Sequence, residues 1–236
     1  MIKFSFNSFG KVKLLIGRIS KLTTQIQFGL YRNECKILFE DCEVICEINI
    51  LEGILPDEGE FFMLNIDSFH NIIKNIPATS EFSCKWDHST ELELITKTKK
   101  KISQCNNSIK IRVKPLVFLD KNLSRNIGCD TNTSIHKLIW IMEKISQCFQ
   151  EVELSFSNNQ LRISGKEDEY EFESEILILG KNIGEISVKL SSVMFLQKLW
   201  LLEWNNSNVC FYIDPASLEL HVSSKSNNDE ILLMLR

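Results

Sequence analysis

No stretch of this chain is apolar for long enough to cross a bilayer. The opening MIKFSFNSFGKVKLL also lacks the continuous apolar region and small-residue cleavage site of a signal peptide. The expectation is a soluble intracellular protein. Glycine and proline are scarce, 9 and 4 in 236 residues, so long disordered or low-complexity tracts are not expected. The eight cysteines contain no C-x-x-C. The closest pair, Cys42 and Cys46, shares one parity in DCEVICEINI beside Val44 and Ile48. That pattern predicts buried hydrophobes rather than zinc ligands or disulfides, and the apolar settings of Cys148 and Cys210 predict the same. Reduced thiols fit a cytosolic or nuclear protein. A Gly-rich phosphate loop, a paired-carboxylate motif and H-E-x-x-H are missing as well. The remaining nucleophile candidates are Cys84 with His88 in SCKWDHST, and Cys105 near a turn. Neither carries a catalytic signature, so no enzyme, metal or cofactor chemistry is expected.

What is present is a hydrophobic fraction of 44%, enough for one large domain or two ordinary ones. Charge is unevenly spread under the net value of −4. Residues 1–114 hold 16 Lys+Arg against 14 Asp+Glu, and residues 115–236 hold 11 against 17. A basic surface can therefore sit within an acidic protein.

Hydrophobic period follows one order four times: strand, amphipathic helix, then three strands. The first unit reads IKFSF, FGKVKLLIGRISKL, TQIQFGL, CKILFE and CEVICEINI. The second reads FFMLNI, SFHNIIKNI, EFSCKW, ELELITKT and NSIKIRVKPL. The third has a weak first strand near CDTNT, then SIHKLIWIMEKISQ, EVELSF, QLRIS and EYEFESEILIL. The fourth reads GEISVKL, SSVMFLQKLWLL, NVCFYI, SLELHVS and EILLMLR. Turn formers such as YRNE, SNNQ, DPAS and SNND separate strands as hairpins require. The units pair around a connector at 116–130. This predicts two similar α+β domains, 1–115 and 131–236, each with antiparallel sheets and two helices on one side.

On a wheel of about 100° per residue, the first helix buries Val12, Leu15, Ile16, Ile19 and Leu22. Its other face shows Lys13, Arg18 and Lys21 with Gly17 and Ser20. The second buries Phe69, Ile72, Ile73 and Ile76 and shows His70, Asn71 and Lys74. The third buries Leu138, Ile141, Met142 and Ile145 and shows His136, Lys137, Glu143, Lys144 and Gln147. Trp140 is also on that outer face, either to stack at a subunit or DNA surface or, the simpler expectation, to pack against the neighbouring helix. The fourth is apolar nearly all round, with Lys198 its only cation. Cations gathered on helices that share one side of the sheets suit a phosphate backbone. The basic turn KTKKKIS, Lys97 to Lys101, reads most simply as a solvated hairpin, the alternatives being a contact with nucleic acid or a partner protein and a nuclear import signal. Two strands carry opposite rows. NSIKIRVKPL places Lys110, Arg112 and Lys114 on one parity, and KEDEYEFESEIL places Glu167, Glu169, Glu171, Glu173 and Glu175 on one parity.

The opening MIKFSF…GRISKL, the run IKIRVKPL and the stretch IHKLIWIMEKISQCFQEVELSFSNNQLRIS resemble DNA sliding clamps. Within them, they resemble the hydroxyurea-sensitivity subunit family of the nine-one-one DNA-damage checkpoint clamp. The resemblance spans most of the chain and rests on element order and hydrophobic spacing. It implies a sliding-clamp fold and a heterotrimeric ring with two other clamp subunits around duplex DNA in the nucleus. It also implies loading by a clamp-loader ATPase complex, recruitment of checkpoint and repair proteins, and no membrane partner. By the same resemblance the helices line the hole. DNA contacts then centre on Lys11, Lys13, Arg18, Lys21 and Lys74, with lesser ones from Lys137, Lys144 and Lys198. The last strand of the first domain would pair edge to edge with the last strand of the third unit of a neighbouring subunit. Lys110, Arg112 and Lys114 would then meet an acidic edge on one partner, and Glu169, Glu171 and Glu173 a basic edge on the other. The alternative within the class is a homotrimeric replication clamp resembling proliferating cell nuclear antigen.

Overall fold

The computed structural model describes the chain except residues 41, 56–58, 100–103, 118–126, 158, 168–169, 181–184, 204–207, 215–218, 227–228 and 236. Four strand-helix-three-strand units follow one another. The first contains β1 (Ile2–Phe6), α1 (Phe9–Ile19), β2 (Gln25–Leu30), β3 (Glu34–Phe39) and β4 (Cys42–Glu52). The second contains β5 (Glu60–Asn65), α2 (Ile66–Ile73), β6 (Glu81–Trp86), β7 (Glu91–Lys99) and β8 (Gln104–Leu116). The third contains β9 (Ile127–Ser134), α3 (Ile135–Cys148), β10 (Glu151–Ser157), β11 (Gln160–Glu167) and β12 (Tyr170–Gly180). The fourth contains β13 (Ile186–Ser191), α4 (Ser192–Leu202), β14 (Asn208–Asp214), β15 (Glu219–Ser226) and β16 (Asp229–Leu235). The fold class is α+β, with mostly antiparallel sheet and four helices among the described residues.

The chain divides into two compact halves, Met1–Lys121 and Asn122–Arg236. Within the N-terminal half, the first strand of each unit crosses to the other unit. β1 pairs with β6 and β5 with β2, while β1 and β5 also pair with the last strands of their own units, β4 and β8. The result is a closed circuit of eight antiparallel strands. In the C-terminal half the same exchange pairs β9 with β14 and β13 with β10.

Local chemistry explains the elements. IKFSF alternates so that Ile2, Phe4 and Phe6 are buried, as a half-covered strand requires. Asn65, Ser134 and Ser191 cap α2, α3 and α4 by accepting hydrogen bonds from the amides of Ser68, Lys137 and Met194. Asn65 starts α2 at Ile66, earlier than the periodicity indicates. α1 stops at Ile19, and a tight turn (Leu22 N–H to Ile19 C=O, 2.8 Å) takes Lys21 and Leu22 out of the predicted helix. α1 packs on α2 and α3 on α4. In the first core Phe28 stacks on Phe62 at 5.3 Å and meets Phe69 edge-on at 6.0 Å. Phe62 in turn meets Trp86 at 4.8 Å. Each such pair contributes roughly 0.5–1.5 kcal/mol beyond its area burial.

Two expectations need correction. β9 begins at Ile127, inside the segment read as connector, because backbone ladders to β12 and β14 form a strand where no apolar alternation announces one. Cys148, expected to be buried, is exposed at the last turn of α3, whereas Cys35, Cys42, Cys46 and Cys84 are buried.

Candidate nucleic-acid interface and strand edges

The outward surface of α1 is narrower than the wheel suggests. Its flank toward α2 is used internally. Lys13 Nζ donates to the Ile76 carbonyl at 2.6 Å, satisfying a group just past the end of α2. The His70 ring lies against Gly17, and its Nδ1 is 3.3 Å from the Ser20 hydroxyl. Lys13 is therefore a tether between helices, not a free phosphate contact. Lys11 and Arg18 are half-buried and also interact within the chain. Lys21 is exposed in the turn after the helix. Between Lys11 and Arg18 the same surface carries Leu14, 60% exposed, which a simple two-face wheel does not single out. Lys74 is exposed just past α2, with Nζ 2.7 Å from Asn71 Oδ1.

The C-terminal half differs. Lys137 and Lys144 are exposed on α3, and Lys144 Nζ lies 5.9 Å from the centre of the Trp140 ring. Trp140 is 57% exposed, so it does not pack against the neighbouring helix as expected. Lys198 turns inward and donates to the Met234 carbonyl of β16 at 2.7 Å. On α4 the exposed side chains include Val193, Met194 and Trp200. Exposed helix-associated cations thus stand in both halves, Lys21 and Lys74 just past the ends of α1 and α2 and Lys137 and Lys144 on α3, with Lys11 and Arg18 half-buried on α1.

Each strand with a charged row has one edge partly open. β8 pairs with β7 along Gln104–Lys110 and on to Arg112, and with β5 only from Val113 to Leu116. β12 pairs with β11 from Tyr170 to Leu177, and with β9 only from Ile178 to Gly180. Among the described residues of each half, no strand covers the second edge of β8 before Val113 or of β12 before Ile178. Ile109 is 44% and Tyr170 67% exposed there.

The anions nearest the basic row belong to its own sheet, contrary to the simplest reading of the two rows. Lys110 Nζ is 2.8 Å from Glu91 Oε2 on β7, and that hydrogen bond raises the lysine pKa above its ordinary value. Glu93 accepts from Ser108 and lies 3.8 Å from Lys85 Nζ. The acidic row is likewise offset by Arg162 of β11, which pairs with Glu173 at 2.8 Å and Glu175 at 3.4 Å. Register sets Glu93 across from Lys110 and Glu175 across from Arg162, yet the shorter pairs are the diagonal ones, Lys110–Glu91 and Arg162–Glu173, within reach of long side chains on one sheet face. Arg112 and Lys114 on β8 and Glu171 on β12 remain exposed without an ion pair to a described residue. Glu169, Lys100 and Lys101 lie outside the described residues, as does the side chain of Cys105.

Cys84 is 1% exposed, and burial pushes its thiol far above the usual range, which keeps it protonated. His88 is turned to Glu60, at 3.4 Å, and its ring lies tilted beside that of Trp86, 5.0 Å between centres. Among the described residues, no helix is long and apolar enough to cross a membrane. No protein-family model matches the chain, and no curated protein matches it either.

Proposed function

We propose that this chain is one subunit of a ring-shaped DNA sliding clamp of the damage-checkpoint type. It assembles with two different clamp subunits around duplex DNA in the nucleus. A loader ATPase places it there, and checkpoint and repair proteins dock on it. The observation that carries this reading is the fourfold strand-helix-three-strand order with exchange of first strands inside each half. Two further features support it. Cations stand on or just past the helices of both halves, at Lys11, Arg18, Lys21 and Lys74 and at Lys137 and Lys144, where they suit phosphates and read no bases. Among the described residues, β8 and β12 each keep part of one edge uncovered, with residual charges of opposite sign, Arg112 and Lys114 against Glu171. Edges of that kind attract a complementary strand and repel a like one.

The decisive experiment is topological. The chain is combined with two other clamp subunits and a loader on nicked circular DNA, and retention is measured before and after the circle is cut. A sliding ring stays on the closed circle and runs off the linear product. Equal retention on both would refute encirclement. Light scattering of the chain alone separates the two clamp readings, because a stable homotrimer would favour the replication type.

A further inference from the structure

In three of the four units the first strand pairs with the last strand of its own unit, β1 with β4, β5 with β8 and β9 with β12. The fourth unit breaks the pattern. Among the described residues β13 pairs with β10 and with no other strand, while β16 pairs with β15 as far as Leu235. Leu190 and Leu235 line one small cavity at the end of β13, and the Met234 carbonyl accepts from Lys198. The rest of β13 is left with a bare backbone edge. The Ser192 amide bonds the Gln150 carbonyl, and Leu190, Val188 and Ile186 follow at every second position, opposite Val152, Leu154 and Phe156. Antiparallel ladders alternate, so the amides of these three residues point to β10 and those of Ser187 and Lys189 to the open side.

The side chains along this edge are complementary to their own reverse. Ile186 and Val188 are half-buried on the core face, and Ser187 and Lys189 are exposed on the other, with exposed Glu185 just ahead of the strand. Lys189 stands across from Glu153, but the Glu153 carboxylate takes the Ser187 hydroxyl. Lys189 and Glu185 each make no ion pair with a described residue. The run EISVK thus reads anion, apolar, hydroxyl, apolar, cation. An antiparallel copy centred on Ser187 sets Glu185 opposite Lys189 on both sides of the axis and Ile186 opposite Val188. Registers centred on Ile186 or Val188 lose both Glu–Lys pairs, and a parallel copy in register sets like charge against like.

We propose that the open edge of β13 pairs antiparallel with the same edge of a second copy of this chain, about a two-fold axis at Ser187. The contact is isologous, the same residues serving both copies. It continues the order β11–β10–β13 into the copy as β13–β10–β11 and gives the outward amides of Ser187 and Lys189 partners. It also lays Ile186 of one copy beside Val188 of the other, covering two apolar side chains that β10 leaves half-open. A single lysine on an edge guards it against chance pairing. Here the guard admits one partner, because Glu185 stands at the spacing that answers Lys189. The reading uses neither the β8 nor the β12 edge and stands independently of the ring.

The test is a charge-swap cycle on the full chain, read by sedimentation equilibrium. The parent should show a monomer–dimer equilibrium that weakens in high salt. Lys189→Glu alone and Glu185→Lys alone each turn two attractive pairs into two repulsive ones and should weaken the dimer about tenfold. The double variant, Glu185→Lys with Lys189→Glu, restores both pairs in reverse and should return to within about threefold of the parent. Both positions are exposed, and circular dichroism checks that each variant is folded. Amide exchange supplies a second readout. With rising concentration the amides of Ser187 and Lys189 should gain protection, while those of Val188 and Leu190, already directed at β10, should not change. Four results would overturn the proposal. These are a chain that stays monomeric at millimolar concentration, a dimer indifferent to both single reversals, a double variant no better than either single one, and a dimer dissolved by Lys110→Glu but not by Lys189→Glu, which would put the contact on β8.

Discussion

Lys36 of β3 and Glu43 of β4 form a pair diagonal across the β3–β4 ladder, with Nζ 3.7 Å from Oε1. Their side chains are only 11% and 4% exposed, so both charges have left bulk water. At that separation and an effective dielectric of about 20, their attraction is about 4 kcal/mol. Desolvation cancels much of this in the intact pair, so the pair contributes little net stability. Removing one member is another matter. Lys36→Met keeps a stem that can lie against Tyr31, whose ring centre is 5.0 Å from Nζ, but takes the lysine charge from a buried carboxylate. The expected loss is about 3–5 kcal/mol. Lys36→Met combined with Glu43→Leu should recover most of it, because both charges of the pair are then gone. Denaturant unfolding, with amide exchange measured on β3 and β4, reads the N-terminal half separately from the rest. A cost for Lys36→Met below about 1 kcal/mol, or a double variant as unstable as the two single losses added together, would refute the argument.

Arg18→Glu with Lys21→Glu should weaken retention of the assembled ring on DNA and lower the slope of log affinity against log salt by about 2, one for each lost phosphate contact. An unchanged slope would remove α1 from the DNA-facing surface. Lys110→Glu with Arg112→Glu should leave the chain folded by circular dichroism yet abolish one subunit contact, restorable by charge reversal on that partner; normal assembly would exclude the β8 edge as an interface. Gly165→Ala should destabilise by about 1–3 kcal/mol, since its Cβ would lie 2.7 Å from the Phe149 ring, and thermal unfolding checks this. A maleimide should label Cys148 quickly in the native protein and reach Cys35, Cys42, Cys46 and Cys84 only on unfolding, as peptide mass mapping will show.

The order of elements was legible because each unit repeats two strong periods, alternation in IKFSF or EVELSF and helical spacing in HKLIWIMEKIS. β9 was nearly illegible, since IGCDTNTS carries little apolar alternation and owes its strand to neighbours on both sides. Long flexible cations were the hardest to place. Lys13 and Lys198 fit an outward stripe by spacing, yet each reaches a carbonyl far along the chain, at Ile76 and Met234. Spacing identifies an apolar side chain but not what covers it, and so Leu14 and Trp140 were not recognised as exposed. The open edge of β13 has no signature within ISVKLS. It depends on β16 forming no ladder with it.

Strand exchange in the N-terminal half also bears on synthesis. When β4 has left the ribosome, β1 and β2 still await β6 and β5, and the circuit cannot close before β8 is made. At roughly 5–20 residues per second, the first unit spends on the order of ten seconds with bare strand edges. A chain in that state can pair with its own copy on a neighbouring ribosome, β5 of one molecule capping β2 of another. Slowing translation between residues 52 and 116 should therefore raise the yield of intertwined dimers, and a nascent-chain chaperone that shields β2 should lower it.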